Sequence, residues 1–106
     1  MKTRNFKEDL LKELGSPNAA VVYLTDAIEQ DDRTGFLLAV RDVIEARGGM
    51  GRHASKIKSI HRVSLYKALS VNGNPLFSTM LDILDTVGIG LRPYVKRRFS
   101  AKRRAA

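Results

Sequence analysis

The sequence predicts an all-α protein, a compact domain of five helices. Apolar residues recur at the three- and four-residue spacing of amphipathic helices through most of residues 17–92. Ser-Pro, Gly-Gly and Asn-Pro steps, which are typical of helix starts and ends, separate these stretches. With 106 residues, 43% hydrophobic and 28% charged, the chain suits one folded domain. We divide it into an N-terminal arm (1–16), a helical domain (17–92) and a basic tail (93–106).

The first two predicted helices have clear boundaries. Ser16 can cap a free backbone N–H and Pro17 fits a first helical turn, so a helix should run from 17 to about 30. A second helix should begin near Arg33 and end at Gly48 and Gly49, which supply a left-handed residue. The apolar positions at helical spacing are Val21, Leu24, Ala27 and Ile28 in the first helix and Phe36, Leu37, Val40 and Ile44 in the second.

Two short helices follow. Residues 51–57 form a short basic segment, Lys58 and Ser59 form a turn, and residues 61–69 form the next helix. The inward positions of this second short helix are Leu65, Ala68 and Leu69.

The fifth predicted helix begins with Asn74 as its cap and Pro75 in its first position. Its expected buried face consists of Phe77, Met80, Leu81 and Leu84. Gly88 and Gly90 should end it, and residues 91–95 could form an extended segment or a short edge strand.

Charge is unevenly distributed. Residues 1–49 carry 7 Lys/Arg and 9 Asp/Glu, residues 50–91 carry 5 and 2, and residues 92–106 carry 7 and none. Basic residues near phosphates release condensed counterions and so gain affinity without reading sequence. The excess of basic residues toward the C-terminus therefore suggests a polyanionic partner. The tail from Lys96 onward has too few apolar residues to fold alone.

Several classes of protein are disfavoured. The chain has no cysteine, and His53 and His61 have no metal-ligand spacing around them, so both should be surface or phosphate-contacting histidines. Asp31 and Asp32 lie on a polar connection and should be solvated rather than catalytic. We expect no enzyme activity and no cofactor. The start lacks the apolar run of a signal peptide and no segment is long enough to span a membrane, so we expect a cytoplasmic protein without a membrane partner.

The two short helices, 51–57 and 61–69, are arranged in sequence like a helix-turn-helix, whose second helix enters the DNA major groove by its N-terminal residues. Arg62 could reach the O6 and N7 atoms of guanine, and His61 and Ser64 could contact base edges or phosphate. Tyr66 could stack on the DNA backbone, but packing on a neighbouring helix is favoured. The candidate DNA-binding residues are His61, Arg62, Ser64, Lys67, Arg52, Lys56 and Lys58.

The same stretch resembles a known family, the addiction-module antidote proteins, which are antitoxins similar to HigA with a Cro/cI-type helix-turn-helix. The resemblance covers about residues 17–92, and its specific part is the block from Ser64 to Pro75. It rests on Tyr23-Leu24 with Ala27, Phe36-Leu37-Leu38-Ala39, Gly48-Gly49-Met50, Ser64-Leu65-Tyr66-Lys67-Ala68-Leu69-Ser70, Gly73-Asn74-Pro75, Phe77-Ser78-Thr79, and Val87-Gly88-Ile89 with Leu91. The segment from Met50 to Leu65 is one residue longer than the family pattern, and Ser59 stands where glycine is usual.

The resemblance implies a function. Such antitoxins are encoded beside a RelE/HigB-like toxin, an mRNA-cleaving ribonuclease, which they bind and neutralise, and they repress their own operon as dimers. It implies that Arg62 and Ser64 open the recognition helix and that Lys67 is its outward lysine. The partners expected on this basis are operator DNA, the cognate toxin and a second copy of the chain, with DNA half-sites about 34–36 Å apart.

Other functions remain open from the residues alone. A stand-alone, phage-type repressor would use the same helices without a toxin, and an RNA-binding protein would use the basic tail. The negative first half suits docking to a basic ribonuclease, so Glu29, Asp31 and Asp32 are expected near a toxin contact.

Overall fold

The computed structural model describes residues 3–57 and 62–96, and all the regular structure in these ranges is α-helical. The helices are α1 (Thr3–Glu13), α2 (Pro17–Glu29), α3 (Arg33–Ala46), α4 (Met50–Ala54), α5 (Arg62–Ala68) and α6 (Phe77–Asp85). The all-α prediction is confirmed, but the described ranges hold six helices rather than five. The additional helix is α1, which lies in the segment assigned above to an N-terminal arm. No helix in these ranges is both long and apolar enough to cross a membrane.

Helix α3 is the centre of the fold. It packs against α1, α2 and α4. Its buried residues are Leu37, Ala39, Val40, Val43 and Ile44. At the end of α1, Leu14 is fully buried, and the Lys7 ammonium lies 3.8 Å from Asp42 Oδ1 and 3.5 Å from Glu45 Oε1 on α3. Apolar burial supplies most of the stability of this contact, because exposed ion pairs contribute little.

The predicted starts of α2 and α3 are confirmed. Ser16 Oγ accepts a hydrogen bond from the Ala19 backbone N–H (3.5 Å), and Pro17 is the first residue of α2. Asp32 caps α3, since its carboxylate accepts a hydrogen bond from the Gly35 backbone N–H at 2.9 Å. Asp32 is solvent-exposed, as the sequence predicted. It also stabilises the start of α3 as its N-cap.

The glycines predicted to end helices do so through left-handed backbone. Gly48 has φ +125° at the end of α3, and Gly88 has φ +74° just after α6. In each case the following residue closes the turn, with the Gly49 N–H donating to the Ile44 carbonyl (2.9 Å) and the Ile89 N–H to the Leu84 carbonyl (3.0 Å). This six-to-one hydrogen bond is the Schellman pattern of helix ends.

The predicted start and buried face of α6 are wrong in part. The helix begins at Phe77 and not at Asn74 and Pro75, and Leu76 is its N-cap without a side-chain hydrogen bond. Phe77 is 69% exposed and Leu81 is also exposed, although both were expected in the core. The row that packs inward is shifted around the helix and consists of Met80, Ile83, Leu84 and Val87.

Residues 91–96 form neither helix nor strand, so the short edge strand considered above is absent from this described segment. The segment returns to the end of α2, where the Tyr94 hydroxyl donates a hydrogen bond to Glu29 Oε2 at 3.3 Å. The basic tail from residue 97 onward lies outside the described residues.

Candidate functional site

Helices α4 and α5 pack against each other, and their apolar sides face the core. The buried apolar residues of this pair and of the turns that follow its helices are Met50, Ala54, Ile57, Leu65 and Leu69. The exposed side chains on these two helices include Arg52, Ser64 and Lys67. The connection through residues 58–61 lies outside the described residues.

Four of the seven predicted DNA-binding residues are exposed in this part of the fold. These are Arg52 on α4, Lys56 just after it, and Ser64 and Lys67 on α5. Arg62 is the first residue of α5, but its side chain is not described, and Lys58 and His61 lie outside the described residues.

The exposed cations here are not neutralised by neighbouring carboxylates within the described ranges. The ion pairs found there both involve Lys7 on α1, and none involves Arg52, Lys56 or Lys67. Cations without a carboxylate partner leave a positive potential at the surface. The chemistry this face offers is ionic and hydrogen-bonding contact with an anion.

One basic residue of this region was missed from the sequence. The Arg41 guanidinium of α3 lies over the ring of Tyr66 on α5, with its Cζ 5.4 Å from the ring centroid. This cation–π contact is the packing of Tyr66 on a neighbouring helix that was favoured above. Arg41 and Tyr66 are 25 positions apart, so no local spacing could have indicated the contact.

The expectation that His53 is a surface histidine is wrong. The side chain is 3% exposed, because His53 shares the inward side of α4 with Met50 and Ala54. Its Nε2 lies 2.8 Å from the Arg47 carbonyl oxygen, which can only accept, so Nε2–H is the donor. Its Nδ1 lies 3.1 Å from Thr86 Oγ1 just beyond α6. His53 therefore connects α4 to the ends of α3 and α6.

A metal role finds no support in the described residues, which contain no group of three or more His, Asp or Glu placed to hold an ion. Asp31 is exposed at φ +59° in the α2–α3 connection, beside the capping Asp32. Both carboxylates are exposed to solvent.

The chain is similar in sequence to known proteins. The sequence pattern of a family described as "probable addiction module antidote protein" matches residues 3–95. An uncharacterized protein of Haemophilus influenzae is 32% identical to the chain over 81 residues, which cover 76% of this chain and 81% of that protein. No solved structure matches the chain.

Proposed function

Because the chain belongs to the family of probable addiction module antidote proteins, we propose that it is the antitoxin of a type II toxin-antitoxin module. Antidote proteins are not enzymes, and they act by binding a toxin partner. The family match over residues 3–95 is the observation that carries the proposal. The finer part is our own: the toxin is a RelE/HigB-like ribonuclease encoded beside this chain, and the chain neutralises it by direct binding.

Growth of cells tests the antitoxin proposal. The small protein encoded next to this chain is expressed from an inducible promoter, with and without this chain on a second plasmid. We expect growth arrest without the chain and restored growth with it. Growth that stays arrested although both proteins accumulate would contradict the proposal and would favour a stand-alone repressor.

We also propose that the protein represses its own operon by binding operator DNA through α4 and α5. Support comes from two short helices packed together, from exposed Ser64 and Lys67 on α5, and from the position of Arg62 at the start of α5. In a helix-turn-helix the N-terminal residues of the second helix reach base edges, and an arginine there can pair with guanine.

The other residues of this interface contact the DNA backbone or the base edges. Lys67, one turn beyond Ser64, suits a phosphate contact, and so do Arg52 and Lys56 near the end of α4. We assign Lys58 and His61 to the same interface from their sequence positions. Two copies of the chain would read two half-sites about 34–36 Å apart, as helix-turn-helix dimers do.

Binding to DNA from upstream of the operon, compared with scrambled DNA of equal length over a salt series, tests this second part. We expect wild type to prefer its own DNA by on the order of a hundredfold or more. Arg62→Ala should reduce this preference by about tenfold, since a bidentate base contact contributes roughly 1–3 kcal/mol. The matched control is Arg33→Ala, at the exposed start of α3.

Replacing Lys67 on α5 should change DNA binding differently from Arg62→Ala. Lys67→Ala should weaken binding to both DNAs alike and reduce the slope of log affinity against log salt by about one. If wild type binds both DNAs equally with a steep salt slope, the chain acts as a polycation and the assignment of α5 to base reading is wrong.

A further inference from the structure

Helix α2 presents two adjacent rows of side chains that the DNA interface does not use. Val21, Thr25 and Ile28, spaced by four and three residues, line a half-open cleft. Val22, Asp26 and Glu29 form the neighbouring row and are all exposed. Three of these six side chains are aliphatic, and all three are exposed, so the helix carries an apolar surface in contact with solvent.

The cleft lies between α2 and the chain that follows α6. Its lining residues are Val21, Leu24, Thr25, Ile28, Phe36, Leu84, Gly88, Ile89, Gly90 and Leu91. Its volume is about 170 Å³, and an apolar cavity of about 150 Å³ is large enough to bind benzene. One aromatic or branched aliphatic side chain of a partner therefore fits.

The α2 row next to the cleft is acidic. Between Lys12 and Arg33 the chain has no basic residue and five acidic ones, although its net charge is +8. Asp26, Glu29 and the two aspartates after α2 are exposed, and no ion pair joins them to a described basic residue. On the other side of the cleft, the residue after Leu91 is the basic Arg92, so the acidic charge beside the cleft comes from α2 and the aspartates that follow it.

We propose that this surface, the α2 face formed by the cleft and by Val22, Asp26 and Glu29, is the docking site for the toxin. The inference rests on the proposed antitoxin function. A ribonuclease needs Lys and Arg near its RNA phosphates, and those cations complement Asp26 and Glu29. An apolar side chain of the toxin fills the cleft beside Val21 and Ile28. The α2 face is carried by helices other than α4 and α5, the proposed DNA-binding pair.

The obvious charge reversal is a poor test of this site. Changing Glu29, Asp31 and Asp32 together removes the Asp32 cap of α3, replaces Asp31 at its positive φ, and breaks the Glu29–Tyr94 hydrogen bond. Loss of toxin binding would then report misfolding as readily as a lost contact.

Single changes with matched controls avoid this difficulty. Val21→Gln places a polar amide in the cleft without reducing helix propensity, and Val71→Gln is the same change at an exposed valine between α5 and α6. Asp26→Lys reverses a charge in the α2 row next to the cleft, and Asp9→Lys reverses one on the exposed side of α1. Thermal unfolding monitored by circular dichroism establishes that each variant is folded.

The measurement is isothermal titration of each full-length variant with the purified protein encoded next to this chain. We expect Val21→Gln and Asp26→Lys each to weaken binding at least tenfold and both controls to stay within twofold of wild type. The effect of Asp26→Lys should shrink at high salt, whereas that of Val21→Gln should not.

The outcomes separate the two proposals. If wild type binds the toxin and both Val21→Gln and Asp26→Lys bind it as tightly as wild type, the α2 face is not the docking site. The antitoxin function then stands. If wild type itself does not bind, the antitoxin function falls and this inference falls with it. If Val21→Gln keeps its toxin affinity but turns a wild-type dimer into monomers in sedimentation, the face belongs to a second copy of the chain, which also overturns the inference.

Discussion

The buried His53 gives the sharpest prediction about what holds α4 in place. His53→Ala removes the hydrogen bonds to the Arg47 carbonyl and to Thr86 Oγ1 and leaves the space of a ring that was 3% exposed. At about 1 kcal/mol for each hydrogen bond and about 1 kcal/mol for the unfilled space, the loss is about 3 kcal/mol. For a domain of this length, that lowers Tm by roughly 12 °C.

Thr86→Val supplies the comparison for this prediction. It keeps the side-chain shape but removes the Thr86 hydroxyl, whose one hydrogen is shared between His53 Nδ1, 3.1 Å away, and the Ile83 carbonyl oxygen, 2.7 Å away. We expect a loss of about 1–2 kcal/mol. The two changes share one contact, so the double variant should lose about 1 kcal/mol less than the sum of the single losses.

Urea unfolding followed by far-UV circular dichroism measures these free energies. A change below about 0.5 kcal/mol for His53→Ala, the range of ordinary surface substitutions, would refute the assignment of His53 as a buried connection between helices. Full additivity of the two substitutions would refute the contact between His53 and Thr86.

Three further predictions concern the scaffold. The Tyr23 hydroxyl donates to Asp42 Oδ2 at 2.7 Å, and burial, with this hydrogen bond and the Asp42 charge, raises the pKa of Tyr23 from 10.0 to about 12. Between these values the unfolded chain releases a proton that the folded chain keeps, so wild-type stability should fall relative to Tyr23→Phe as pH rises from 10.0 to about 12. The loss should be about 1 kcal/mol after allowance for partial exposure, and urea unfolding at several pH values that shows parallel curves would contradict it. Asp32→Ala should cost about 1 kcal/mol by uncapping α3, whereas Asp9→Ala, on the exposed side of α1, should cost less than about 0.5 kcal/mol. Gly88→Ala should cost about 1–2 kcal/mol through its positive φ alone, because an added Cβ meets no atom within 4 Å; an unchanged Tm would show that the turn adjusts freely.

Local signals in the sequence were enough to locate several helix boundaries. Ser16 before Pro17 and the glycine pair after α3 act through backbone hydrogen bonds close in sequence, which is why they could be recognised without tertiary information. The same holds for α5, where helical spacing separates buried Leu65 and Leu69 from exposed Ser64 and Lys67.

The errors arose where packing decides between local alternatives. The sequence of α6 offers two apolar rows, one through Phe77 and Leu81 and one through Ile83 and Val87, and only contact with the rest of the core selects the second. Helix α1 has few apolar residues, so little in the sequence indicated that it belongs to the folded domain. Its packing on α3 and the burial of Leu14 at its end place it there.

Part of the candidate sites could likewise be predicted from local sequence, and part depends on the fold. The basic character of α4 and α5 follows from residue type and helical spacing. The α2 face needs residues 21–28 to meet residues 84–91, and His53 needs Thr86, 33 positions away. No periodicity within a single helix contains such pairings, so the cleft and the buried histidine could be found only in the folded structure.

The most direct test of the central claim is titration of the neighbouring gene's purified product with this protein while cleavage of a model mRNA is followed. We predict that cleavage falls in proportion to added protein and stops at a fixed ratio of this protein to toxin. Undiminished cleavage in the presence of excess folded protein, or inhibition that follows the ratio of this protein to RNA and not its ratio to toxin, would contradict neutralisation by direct binding to the toxin.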